Sequence, residues 1–145
     1  MRDLPRHLSI EELAELFEGR TRFVELLSER EDPLEAAPAV IEELSEEEKI
    51  EAVNAHPAIG GRGLSPRSAE EQGAEADPVV QTELAYLNQV YEEKFGFRFV
   101  VFVDRRPKAE ILEVLRERLE RTPDEELDVA LKELVAIARD RWIRG

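Results

Sequence analysis

At four candidate helix starts the chain sets a serine or threonine three residues ahead of a glutamate: Ser9 with Glu12, Ser45 with Glu48, Ser68 with Glu71, and Thr122 with Glu125. At that spacing each side chain bonds the other's backbone N–H, which satisfies two donors left open at a helix start. Apolar residues at helical intervals follow: Leu13 and Leu16, then Ile50, Ala52 and Val53, then Leu127, Leu131, Leu134 and Ala138. Helices that begin this often and lie this close together predict an all-α, single-domain helical bundle over residues 1–145.

The remaining punctuation agrees. Arg20 to Arg30 carries Phe23, Val24, Leu26 and Leu27 and reads as a second helix that stops before Pro33, and Pro38 divides the stretch after it. Pro57 disfavours helical geometry at the residue before it, so the helix opened by Ser45 should end close to His56. Three glycines and two prolines make Pro57 to Arg67 a loop. Asp77 and Pro78 are an N-cap with proline at the first helical position, Gly96 closes that helix, and a further helix follows Pro107. FRFVVFV, residues 97–103, is the one run with strand character; alone it cannot build a sheet, so it is expected as a short, buried, extended segment.

A net charge of −14 with no clustered basic face argues against nucleic acid as partner. An anionic ligand would gain nothing from the overall field and would need local arginines. The absence of cysteine removes disulfides, thiolate nucleophiles and cysteine-bound zinc, and two histidines are too few to suggest a metal centre. No stretch of about 18 apolar residues suggests a membrane span, and MRDLPRHLS lacks the apolar core of a secretion signal. Hydrophobic residues at 42% and charged ones at 37% describe a soluble, folded chain, for which the cytoplasm is the default location.

Locally, several residues carry two readings. His56 follows Val53 by three positions and so shares its inward face, at the negative end of the helix dipole, where the imidazolium is favoured. It is either a general acid or a histidine that ends a helix and bonds a carbonyl, and spacing alone favours the second. Ser68 and Glu71 are a capping box or, with Gln72, the polar wall of an anion site at a helix start. Residues 97–103 are core, or backbone whose N–H and C=O groups face a ligand. Arg141 continues the buried stripe of the last helix and either reaches solvent or pairs with a buried carboxylate, whereas Arg139 falls off that stripe into water.

Taken together, NAHPAIGGR (54–62), SAEEQ (68–72), LAYLNQVYEEKFGFRFVVFV (84–103) and the closing IARDRW resemble the 2-oxo-4-hydroxy-4-carboxy-5-ureidoimidazoline (OHCU) decarboxylases from about residue 45 onward. The resemblance implies an all-α homodimer that converts the last unstable intermediate of urate oxidation into (S)-allantoin, with neither metal nor organic cofactor. It makes His56 the proton donor, with Glu71 as the second catalytic group. Pro57, Ser68, Gln72, Phe99, Val100, Val101, Phe102, Val103 and Arg141 would then line the anionic ureidoimidazoline substrate. Two departures stand out: a shorter loop between His56 and Ser68, and Arg98 where proline is common, which raises whether Arg62, Arg67 or Arg98 adds a contact. The competing readings are a non-catalytic helical module for a small anion or partner protein, and a decarboxylase for a related ureido heterocycle.

Overall fold

The computed structural model describes residues 3–57 and 77–145, which form seven helices and no strand. In chain order they are α1 (Ile10–Phe17), α2 (Arg22–Ser28), α3 (Pro33–Glu43), α4 (Glu46–Ala55), α5 (Pro78–Phe95), α6 (Lys108–Arg118) and α7 (Pro123–Arg144). None is long and apolar enough to cross a membrane. Reciprocal capping boxes open α1, α4 and α7 at Ser9, Ser45 and Thr122, and Asp77 accepts from the Val79 N–H at the head of α5. Gly96 ends α5 in the left-handed region, at φ 81°, as a C-terminal glycine can without strain. The capping box expected at Ser68 and Glu71 falls outside the described residues, as does the loop expected after Pro57.

Two boundaries differ from the sequence reading. The second helix is shorter than Arg20 to Arg30 because Thr21 caps it, its hydroxyl accepting from the Val24 N–H. Pro38 divides nothing: it sits inside α3. An interior proline costs a helix about 3 kcal/mol, but Leu34, Val40 and Ile41 are buried on this helix, and each such burial stabilises by roughly 2 kcal/mol. Packing therefore carries the helix through the proline.

The longest helix, α7, is the hub, with α1, α3 and α4 packed along it and α5 lying on α6. Leu127, Ala130, Leu131, Leu134, Val135, Ile137 and Ala138 present its apolar face to one core cluster shared with all the other helices. Residues 97–103 run through this core as extended chain, with Phe97, Phe99, Val100, Val101 and Val103 buried. In place of a ladder, side chains from the helices meet its backbone. The Arg98 N–H donates to Asn54 Oδ1 at 3.0 Å, the Val100 carbonyl accepts from Arg118 Nη1 at 2.6 Å, and the Phe102 N–H donates to Glu133 Oε1 at 3.2 Å. Arg106 adds a bond to the Phe102 carbonyl at 2.6 Å.

Arg118 is 4% exposed, and its charge is met by Glu126, which is fully buried, at 2.7 Å. Tyr91 donates to the same carboxylate oxygen at 2.6 Å, and the guanidinium lies 4.6 Å from the centre of the Phe99 ring. Burial and that hydrogen bond hold the Tyr91 phenol well above its ordinary range, so it stays a donor. Removing one partner of a buried pair strands the other charge, at a cost of about 3 to 5 kcal/mol, whereas removing both costs much less. Glu126→Gln should accordingly lower the urea unfolding free energy by about 3 kcal/mol, and adding Arg118→Met should recover part of the loss. A single variant within about 1 kcal/mol of the parent would show that the pair is not what holds this layer.

Candidate active site

Three elements bring their ends together around His56. Helix α4 stops there because Pro57 forbids the helical region: His56 has φ −78° and ψ 135°, its N–H bonded to the Val53 carbonyl at 3.2 Å. The side chain is 7% exposed, beside Ala52 and Val53 on the inward face that its spacing predicted. The end of α1 approaches the same place. Glu18 caps α1 in the left-handed region, at φ 66°, and a Cβ added to Gly19 would stand 3.0 Å from the Ala55 Cβ. Glycine at this position lets the two helix ends touch one residue before His56.

From α7 comes Arg141, 3% exposed, with Nη1 3.1 Å from Glu18 Oε1 and 3.0 Å from the Leu16 carbonyl that it caps. Of the two readings open to Arg141, pairing with a carboxylate is the one found, although that of Glu18 is only partly buried, while Arg139 faces solvent. The fourth contribution is the start of the extended segment. Beyond the Arg98 N–H bond to Asn54, Arg98 Nη1 donates to the His56 carbonyl at 3.0 Å, so the segment is stitched to the last turn of α4.

The electrostatics of this cluster overturn one expectation. The negative end of a helix dipole favours imidazolium by about 1 kcal/mol or less, but His56 is pushed down to about 4. Burial is the largest cause; Arg141 and Arg98 repel the proton, and Glu18 opposes them. The imidazole is neutral at neutral pH because desolvation and two guanidinium groups outweigh the dipole and one carboxylate.

His56, Arg141 and the beginning of the extended segment thus meet, with Pro57 half-buried beside them. Phe99, Val100, Val101 and Val103 are buried behind them, and Phe102 is half-buried, its side chain lining a separate groove of about 700 Å³ between α3 and α7 with Ile41, Leu131 and Val135. Ser68, Glu71 and Gln72 lie outside the described residues, as do Arg62 and Arg67. Among the described residues no group of His, Asp and Glu could hold a metal ion. Sequence reasoning missed Glu18 and Asn54. Glu18 carried one local signal, its place before Gly19 at the end of a helix; Asn54 lay within the quoted His-Pro segment without a role.

The comparisons with known proteins agree on one family. The family model for OHCU decarboxylase matches residues 2–142. The chain is 32% identical over 113 residues to the 2-oxo-4-hydroxy-4-carboxy-5-ureidoimidazoline decarboxylase of Halalkalicoccus jeotgali, covering 74% of this chain and 64% of that protein. It is 35% identical over 105 residues to the uric acid degradation bifunctional protein TTL of Arabidopsis thaliana, covering 66% of this chain and 32% of that protein. It therefore spans about a third of the plant relative and just under two thirds of the archaeal one. A crystal structure of OHCU decarboxylase in the presence of (S)-allantoin has the same fold, with a TM-score of 0.76 at 28% identity over 90% of this chain and 94% of that one. With a match that reaches across nearly the whole sequence and a shared helical architecture, this chain belongs to the OHCU decarboxylase family.

Proposed function

We propose that the chain decarboxylates 2-oxo-4-hydroxy-4-carboxy-5-ureidoimidazoline and delivers a proton to one face of the product, giving (S)-allantoin. The observation that carries this reading is a buried, neutral histidine held between the ends of α1, α4 and α7, next to an arginine already anchored by a carboxylate. The bond from ring carbon to carboxylate breaks, CO2 leaves, and its electron pair passes into the conjugated heterocycle. The substrate is its own electron sink if the carboxylate is held out of the ring plane, so neither metal nor organic cofactor is required. A proton added to the neighbouring, ureido-bearing carbon and one lost from the hydroxyl of the carbon that held the carboxylate, which becomes the carbonyl, then close the reaction.

His56 is the proton donor in this scheme, with Glu71 and Gln72 fixing orientation and Arg141 and the backbone of 99–103 holding ring and ureido oxygens. A neutral imidazole cannot donate to carbon, so His56 must be charged in the complex. The anionic substrate supplies the means: a negative charge brought into a low-dielectric site offsets Arg141 and Arg98 and raises the affinity of the imidazole for a proton. Substrate binding and proton loading are then one event. The same reading makes the acting species a cytoplasmic homodimer.

Feeding the protein with intermediate generated in situ from urate and following circular dichroism should show (S)-allantoin forming faster than the spontaneous reaction; racemic product at the spontaneous rate would sink the proposal. His56→Ala should lose the acceleration with its helix content unchanged. Sedimentation should find a species of twice the 16.6 kDa chain mass, and a sole species at the single-chain mass of 16.6 kDa removes the dimer. The burial of His56 is tested without substrate. Its affinity for a proton is lower folded than unfolded, so its contribution to stability is complete above pH 6.5 and is lost as pH falls toward about 4. The stability difference between the parent and His56→Gln should shrink by roughly 3 kcal/mol over that window. A difference that stays flat with pH contradicts a neutral, buried imidazole.

A further inference from the structure

The guanidinium of Arg98 is the least explained charge near the site. Its side chain is 42% exposed and lies 3.9 Å from Glu92 Oε1, an ordinary surface pairing. Yet the same residue grips α4 twice across more than forty positions of sequence, through its N–H to Asn54 Oδ1 and through Nη1 to the His56 carbonyl, both at 3.0 Å. The carbonyls at a helix C-terminus lack intrahelical partners, and Pro57, which has no N–H, offers none of its own. Arg98 supplies one from outside.

We infer that Arg98 is a positioning residue for His56: by capping the His56 carbonyl and anchoring Asn54 it fixes the peptide from which the imidazole projects. This inference rests on the proposed role of His56 as the proton-handling group. A swing of the His56–Pro57 peptide would move the imidazole relative to Arg141 and Glu18 without altering the core beneath. Among the described residues the charged groups that face His56 are Arg141 from α7, Glu18 from the end of α1 and Arg98 itself, so removing Arg98 leaves one cation and one anion of these. The imidazole then holds its proton more readily.

The test uses Arg98→Met, which removes both charge and donors, and Arg98→Lys, which keeps a charge and can still donate to a carbonyl. Arg98→Met should lower kcat by about tenfold to a hundredfold with KM within about twofold, and should move the His56 limb of the pH profile upward. Arg98→Lys should restore most of kcat and the position of the limb. In protein labelled at its two histidines, NMR titration of Arg98→Met should show His56 gaining proton affinity while His7 stays put. A rise in KM alone, with His56 titrating as in the parent, would make Arg98 a substrate contact and overturn the inference; parental behaviour in every measurement overturns it too. If Arg98→Met does not fold, Arg98→Lys with a parental His56 titration but no recovery of kcat overturns it. A shifted His56 titration combined with full activity in His56→Ala leaves the positioning intact and removes the catalytic reading.

Discussion

The ion pair between Arg118 and Glu126 is the interaction on which the arrangement of this molecule turns. Both side chains are out of solvent, where each alone would be intolerable, and together they occupy the seam between α5, α6, α7 and the extended segment. One guanidinium meets a carboxylate from α7, a carbonyl of the segment and the face of Phe99; the same carboxylate takes the Tyr91 hydroxyl from α5. Such a junction adds little net stability over a well-packed apolar one. What it adds is register, because the donors fit one alignment of segment and helices.

That register reaches the site. With the Val100 carbonyl pinned to α6, Arg98 lies two residues away, at the end of α4, and Phe102 lies at α7. The end of α1 is set independently by the close approach of Gly19 to Ala55, which carries Glu18 to Arg141. The histidine is thus held by two separate devices, one polar and one steric, and neither involves the imidazole.

Most of the fold is legible in the sequence because its signals are local. The serine, threonine and aspartate caps, the proline after His56 and the glycine after α5 act within three or four residues of themselves. Pro38 misleads for the complementary reason: its local preference is outweighed by apolar contacts to α2 and α7 that no window of sequence contains. The site divides in the same way. The inward placement of His56 and Arg141 follows from helical periodicity. Glu18 meets Arg141 across 123 positions, and nothing near either residue announces the other. The charge state of His56 is illegible for the same cause, since the dipole is local whereas burial and the opposing guanidinium groups come from α7 and from the extended segment.

The extended segment has a further consequence, for the order in which the chain is made. A run of aromatic and β-branched residues such as 97–103 is the kind of sequence that pairs edge to edge with copies of itself. In the finished protein its backbone is engaged by Asn54, Arg106, Arg118 and Glu133. Of these, Asn54 precedes the run, while the guanidinium and carboxylate that close its middle and far end come 18 and 31 residues later. Translation makes the run before those partners, and synthesis at about 5 to 20 residues per second separates it from them by a few seconds. The interval that most exposes this protein to self-association lies in its birth, and it ends when α7 arrives.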